Sequence, residues 1–464
     1  MNMLSITFAW LFLALFLLYW LSCSYTKIQN QILLIASYAF VAWFSLSSAV
    51  IMLIYSLLIY YLGLFIHKTN KSRAGYSLLA LLIIGFFTAF KYYPAARESL
   101  QTSFSQIDLP VVNILVPLGL SFYLFHSVSY IVSIARKEIA PARLVSTLLY
   151  ISFFPSVVSG PINRASHFLP QIDAATPRRL GNIQKPVCLL ALALAKLFLC
   201  SAWLAGQYVN PVFDSPESAT PLQLIVAVYA YAWQIYFNFS GYTHLVTALA
   251  ALLGFSLPVN FNAPYQAKNL SDFWARWHIS LSTFIRDYIY IPLGGNRRGF
   301  MRKNINLLIA MALSGLWHGT GVNFILWGAI HGIGLVIFNY KTRWLPGKHS
   351  GPVRLLLSRL LTFHFICFAW IFFRASDVAS AWRILSGIGQ LSFSSLLSAP
   401  EGATILLFFI FFIIYPRLYS LRIRVGALIC RIPWLYFPLP LALFLTLIFF
   451  FAPAGLPEFI YANF

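Results

Sequence analysis

Residues 271–298, SDFWARWHISLSTFIRDYIYIPLGGNRR, and residues 314–319, SGLWHG, decide how this chain is read. They set histidines, paired glycines and a run of cations inside a sequence that otherwise consists of long apolar stretches. An imidazole in hydrocarbon is costly unless it faces a bundle interior or a water-filled cavity. It is therefore read first as part of a pathway or a chemical site. His278 and His318 are the two such residues in this interval.

The composition around them is 60% hydrophobic, 17% aromatic and only 9% charged over 464 residues. This describes a polytopic membrane protein. Crossing the hydrocarbon takes about 20 apolar residues per helix, and a spanning chain must satisfy its own backbone, which leaves helices or closed barrels. Barrel strands would alternate, and these runs are continuous. The expected fold class is all-α, with about eleven to thirteen spans plus re-entrant segments, from apolar runs that begin near 4–22 and end near 435–453. The run 145–160 contains Pro155 and closes on Gly160 and Pro161, so it is expected to dip in and return. The amphipathic segment 268–292 reads equally as interfacial or re-entrant. A single membrane-embedded domain over 1–464 is expected, with a motif-bearing core at about 110–340.

A net charge of +21 would suggest nucleic acid in a soluble chain. Here the cations sit in short loops between apolar runs, as positive-inside topology requires, so no nucleic acid is expected. The clusters are Lys68, Lys71 and Arg73; Arg136, Lys137 and Arg143; Arg297, Arg298, Arg302 and Lys303; and Lys341, Arg343, Lys348, Arg354 and Arg359. Asp214 and Glu217 fall in a loop assigned to the opposite side. Cys23, Cys188, Cys200, Cys367 and Cys430 show no paired spacing and indicate no disulfide framework. The first run lacks a basic leader before Lys27 and is expected to be retained as a span.

If the clusters at 297–303 and 341–359 share a face, residues 304–339 form a hairpin with its turn at Gly315–Gly321. At about 1.5 Å per residue, His318 then lies about 21 Å into a core of about 30 Å. A lone deep histidine is more often a satisfied structural group than a catalyst. His278 is flanked by Asp272 and Arg276 on one side and Arg286 and Asp287 on the other, a pattern that also fits an interfacial helix. His331 is bracketed by small residues that permit close helix contact, which favours a structural hydrogen bond. A zinc site made from all three histidines matches no familiar ligand spacing, and no metal is expected.

The stretch NFNAPYQAKNLSDFWARWHISLSTFIRDYIYIPLGGNRRG, followed by NLLIAMALSGLWHGTGVNFILWGAIHG, resembles the membrane-bound O-acyltransferase family, in its bacterial alginate and peptidoglycan O-acetyltransferase branch. Further matches are PLGLSFYLFHSVSYIVSI at 117–134, SFFPSVVSGPINR at 152–164 and YFNFSGYTH at 236–244. The resemblance implies a helical ring around a thin centre with a funnel and tunnel. It places the family's histidines on His318 and His278 as catalytic residues, with His331, Trp317, Asn238 and Tyr461 as possible supporting residues. Where the family pattern usually carries acids, this chain has Asn238 and His244. The C-terminal PEFIYANF resembles an aromatic family ending in which Tyr461 is either an acyl carrier in cis or an interfacial anchor.

The implied activity is transfer of acetyl groups from cytosolic acetyl-CoA for O-acetylation of an extracytoplasmic polysaccharide. A periplasmic acetyltransferase partner is implied, and the setting is the bacterial inner membrane. Acetyl-CoA is then a substrate, and no tightly bound cofactor is expected. Arg297, Arg298, Arg302 and Lys303 would steer the CoA phosphates, a role that topology alone also explains. The alternatives are D-alanyl transfer from a carrier protein, or a transporter or flippase whose histidines relay protons.

Overall fold

The computed structural model describes residues 3–103, 117, 119–344, 351–392, 400–453, 455, 457, 459 and 460. Tyr461 and Lys348, named above, and most of 104–118 lie outside the described residues. Among the described residues every regular element is helical. Contacts divide the chain into two units, Met1–Pro186 with Val246–Pro258, and Val187–Leu245 with Val259–Phe464.

The first unit contains α1 (Ile6–Leu21), α2 (Thr26–Phe44), α3 (Leu46–Thr69), α4 (Ser72–Phe87), α5 (Tyr93–Ser103), α6 (Leu120–Ala135), α7 (Leu144–Ser152), α8 (Phe154–Val157) and α9 (Ala165–Ile172). Ser45 caps α3 by accepting the Ser48 N–H at 3.1 Å, and Asn70 ends the helix in a left-handed conformation. The segment expected to dip and return breaks at Phe153, between α7 and α8. With nine residues, α7 rises only about 13 Å and cannot cross. A buried guanidinium, Arg178, stitches this unit together. It donates to Asn30 Oδ1 at 2.7 Å, to the Ile172 carbonyl at 3.0 Å and to the Tyr19 hydroxyl at 3.2 Å, and it stacks over Phe255.

The remaining helices are α10 (Gln184–Leu194), α11 (Asn210–Phe213), α12 (Pro221–Leu252), α13 (Leu270–Trp274), α14 (Ile279–Ile285), α15 (Gly299–His318), α16 (Val322–Trp344), α17 (Pro352–Arg374), α18 (Val378–Ile388), α19 (Pro400–Ile429) and α20 (Pro438–Phe451). Among the described residues six helices are long and apolar enough to cross a bilayer: Leu46–Thr69, Ser72–Tyr92, Gln184–Phe213, Val322–Trp344, Pro352–Arg374 and Pro400–Ile429. Ile6–Leu21, Leu120–Ala135, Val378–Ile388 and Pro438–Phe451 are apolar but shorter. The long helices α2, α12 and α15 carry buried amides, Gln29 and Asn30, Gln234 and Asn238, and Asn304 and Asn306. Within the described residues the apolar runs expected to give eleven to thirteen spans are largely helical, and six of the helices have the length and hydropathy to cross alone.

Candidate active site

Every residue of the site belongs to the second unit, and its two principal imidazoles sit where helices stop. His278 lies between α13 and α14 with φ 43° and ψ 53°, a left-handed conformation that an L side chain adopts only when its surroundings enforce it. Asn260 supplies the enforcement. Its carbonyl accepts the Ile279 N–H at 3.0 Å, and its Oδ1 accepts both the Ser280 N–H at 3.2 Å and the Ser280 hydroxyl at 2.6 Å. One residue pair further out, the Asn262 N–H donates to the Arg276 carbonyl at 3.0 Å. Nothing in the sequence singled out Asn260, because its importance lies in pairing with a segment nearly twenty residues away.

The charges flanking His278 are occupied locally. Arg276 pairs with Asp272 at 2.7 Å, and Arg286 with its neighbour Asp287 at 2.7 Å. The segment 268–292, left open by the sequence, is a series of short helices and does not cross as one element. His278 is 1% exposed and lies outside the six candidate spans. Burial pushes its imidazole down from the ordinary value, which favours the neutral form.

His318 is the last residue of α15. The expected hairpin is present: α15 and α16 are joined through Gly319 and Gly321, and their backbones nearly touch near the turn. A Cβ added to Gly315 would collide with the Phe324 carbonyl oxygen, and one added to Gly328 would sit 2.5 Å from the Met311 carbonyl oxygen. Only glycine permits this approach. At the other end of the hairpin Lys303 donates to Asn339 Oδ1 at 3.0 Å, and Asn339 in turn donates to Asn304 at 2.9 Å.

The rings converge on two indoles. Trp317 lies 4.6 Å from the His318 ring and 6.2 Å from the His278 ring, centroid to centroid. His318 meets Trp327 at 4.9 Å and Phe373 at 5.0 Å, both edge to face, and is 3% exposed. His331 is fully buried beyond Trp327, at 4.8 Å from it and 5.1 Å from Trp274. The structure thus gathers His278, Trp317 and His318, and sets His331 one ring further away. Among the described residues no three His, Cys, Asp or Glu side chains converge as metal ligands.

The C-terminal segment reaches the same place. Asn238 Oδ1 accepts the Ile460 N–H at 3.1 Å, and the Tyr242 hydroxyl donates to the Pro457 carbonyl at 2.8 Å. Phe459 packs against Phe239, whose ring stands 4.6 Å from His278. At the far end of α15, Arg297, Arg298 and Arg302 are exposed, whereas Lys303 is held by Asn339. Sixteen residues of helix put Arg302 about 24 Å from His318.

The model of the membrane-bound O-acyltransferase family matches residues 76–376 of this chain. A probable alginate O-acetylase of Azotobacter vinelandii is 32% identical over 430 residues, covering 89% of this chain and 84% of that protein. The peptidoglycan O-acetyltransferase of Helicobacter pylori is 31% identical over 384 residues, with 74% and 71% covered. The teichoic acid D-alanyltransferase of Bacillus subtilis is 28% identical over 327 residues, with 66% and 79% covered.

Proposed function

The chain belongs to the membrane-bound O-acyltransferase family, and from that premise we propose that it transfers acetyl groups from cytosolic acetyl-CoA for O-acetylation of an extracytoplasmic polysaccharide. The polymer is of the peptidoglycan or alginate kind, the membrane is the bacterial inner membrane, and a periplasmic partner transferase receives the acetyl group. The names of the alginate and peptidoglycan relatives support this reading. The observation that carries it is the shared indole: Trp317 holds two imidazoles, from segments forty residues apart, against one ring.

In this mechanism His318 is the general base. Its neutral imidazole takes the proton of an acceptor hydroxyl as that oxygen attacks the thioester carbonyl, a role worth about 10²–10⁴-fold. The tetrahedral intermediate then collapses, the C–S bond breaks, and the imidazolium returns the proton to the departing thiolate. The products are an acetyl ester and free CoA. His278 orients the acceptor or stabilises the oxyanion. Since His318 is 3% exposed, the reacting groups must arrive on narrow arms or turn its neighbouring rings aside.

A second reading concerns the first acceptor. Tyr461 follows Ile460, whose backbone is fastened to Asn238 beside the Phe239–His278 contact, and this favours Tyr461 as an internal acetyl carrier. Mass spectrometry of the protein after incubation with acetyl-CoA should find an ester that Tyr461→Phe abolishes. For the main reading, His318→Ala should lower transfer from labelled acetyl-CoA at least 10²-fold while insertion and partner binding persist. Transfer at the wild-type rate removes His318 from the chemistry. Turnover of a D-alanyl carrier protein with none of acetyl-CoA replaces the donor.

A further inference from the structure

Lys196 lies in a π-helical stretch, Ala195–Ala202, that continues α10 within the span Gln184–Phe213, and it is 7% exposed. Its Nζ donates to Ser240 Oγ at 2.8 Å and stands 5.2 Å from the Tyr236 ring. Lys196 is twelve residues from the start of α10, and Ser240 is twelve residues from the end of α12. Both are therefore about 18 Å from a helix end, well inside the candidate span for Lys196 and well inside α12 for Ser240. An ionisable group at that depth calls for a named partner.

A hydroxyl and a ring face are weak counterparts for a full charge, and the nearest other charge, Arg422, is also a cation. Tyr236, Ser240 and His244 follow at four-residue intervals, so they line one face of α12, opposite Asn238 and Tyr242. Arg422 of α19 interacts electrostatically with both Lys196 and His244. Its guanidinium lies 4.6 Å over Tyr419, and its Nε, like His244 Nδ1, is buried without a hydrogen-bond partner among the described residues. The described acids of this unit have their own roles. Asp214 pairs with Arg374, Glu217 with Arg383, Asp272 with Arg276 and Asp287 with Arg286, while Asp377 caps α18 and Glu401 accepts from Gln223. Neither Lys196 nor Arg422 forms an ion pair among the described residues. Like charges held together in a low-dielectric span repel unless an anion lies between them or the lysine gives up its proton, and a bound anion keeps it charged.

We propose that Lys196, Arg422 and His244 form a binding site for a phosphate ester inside the membrane region, and that the phosphate is carried by the pantetheine arm of the acyl donor. An ammonium, a guanidinium fork and an imidazole together match a group with several anionic oxygens better than they match one carboxylate. The donor assignment rests on the acetyl-CoA reading above; the phosphate site itself does not, because a lipid headgroup offers the same chemistry.

The test uses the full chain in a phosphate-free maltoside detergent. Calorimetric titration with CoA and with pantetheine, which has no phosphate, separates the phosphate contribution, and native mass spectrometry with phosphatidylglycerol supplies the lipid arm. Lys196→Met and Arg422→Gln should each weaken CoA binding about tenfold or more and leave pantetheine unchanged, with Lys196→Arg much closer to wild type. Ligand-free Lys196→Met should melt no lower than wild type, since it removes a buried charge. If both variants bind CoA and phosphatidylglycerol as wild type does, the site is overturned and the acetyl-CoA reading stands. If wild type binds no CoA but binds phosphatidylglycerol in a Lys196-dependent way, the site stands and the donor assignment falls. Binding of neither ligand by wild type overturns the site.

Discussion

The place of His318 is set by how closely α15 and α16 approach, and Gly328→Ala tests that dependence directly. The new Cβ would sit 2.5 Å from the Met311 carbonyl oxygen and 3.2 Å from its carbon, both of them backbone atoms that cannot rotate away. Restoring tolerable contact requires the helices to part by about 0.5–0.9 Å, and overpacking of this kind costs about 1–3 kcal/mol. Met311 is seven residues before His318, so the displacement enters about 10 Å from the imidazole along a stiff helix. A shift approaching 1 Å in a reacting group costs up to about 10²-fold in rate. The expected result is a 10- to 100-fold fall in acetyl transfer by purified protein, with a lower melting temperature. Gly426→Ala is the matched control, since it makes the same change in α19 where nothing lies within 4 Å of the added carbon. It should leave activity unchanged and stabilise by about 0.5–1 kcal/mol, because alanine is the better helix former. If Gly328→Ala behaves like Gly426→Ala, the close approach does not position His318.

Three further outcomes are expected. Asn260→Ala removes the Oδ1 acceptor of two Ser280 bonds and should destabilise by about 1–3 kcal/mol for each donor left unsatisfied, with kcat falling more than KM rises; Asn260→Asp, which keeps an acceptor, should recover most of both. Replacing Arg297, Arg298 and Arg302 together by Gln should raise the KM for acetyl-CoA without blocking insertion, whereas Lys303→Met should chiefly lower stability by freeing Asn339; an unchanged KM in the triple variant leaves topology as the arginines' sole role. The depressed pKa of buried His278 means the unfolded chain takes up a proton, near pH 6.5, before the folded one does, so stability should fall as pH drops below that value. Thermal melts from pH 7 to pH 5 should show wild type losing about 2 kcal/mol more than His278→Phe, and equal slopes would mean that the imidazole titrates normally.

Much of this was readable from residue types alone. Apolar runs set the class, and the cation clusters at 297–303 and 341–359, with glycines at 315–321 midway between them, foretold the hairpin. The two histidines stood out because imidazoles are costly among apolar neighbours. What the sequence hid depends on long-range pairing. Asn260 is an ordinary loop amide until Ser280 is brought to it, and Arg178 looks like any loop cation until Asn30, Ile172 and Tyr19 surround it. Lys196 passes as an interruption in an apolar run, because the imidazole on α12 and the guanidinium on α19 that give it meaning lie 48 and 226 positions further along the chain. Asn238 and His244 read together as replacements for family acids, yet helical spacing sets them about 120° apart around α12, on different faces.

The site is assembled at chain breaks, and this follows from the solvent. Within a membrane region non-helical backbone survives only where protein satisfies its polar groups, so each break needs a dedicated partner. At the His278 break Asn260 accepts from Ile279 and Ser280; at the end of α15 the Gly319 N–H returns to Gly315; at the C-terminal segment Asn238 accepts from Ile460. A side chain at such a break rides on backbone outside regular helical geometry and can be aimed in directions that the fixed spacing of a helix does not offer. His331, in the middle of α16, is packed among rings, while His278 and His318, at ends, share Trp317. Substitutions at the amides that close the breaks should therefore cost more activity per unit of lost stability than substitutions at His331. The ratio of the two losses, measured on the same purified variants, distinguishes positioning of reactive groups from simple packing.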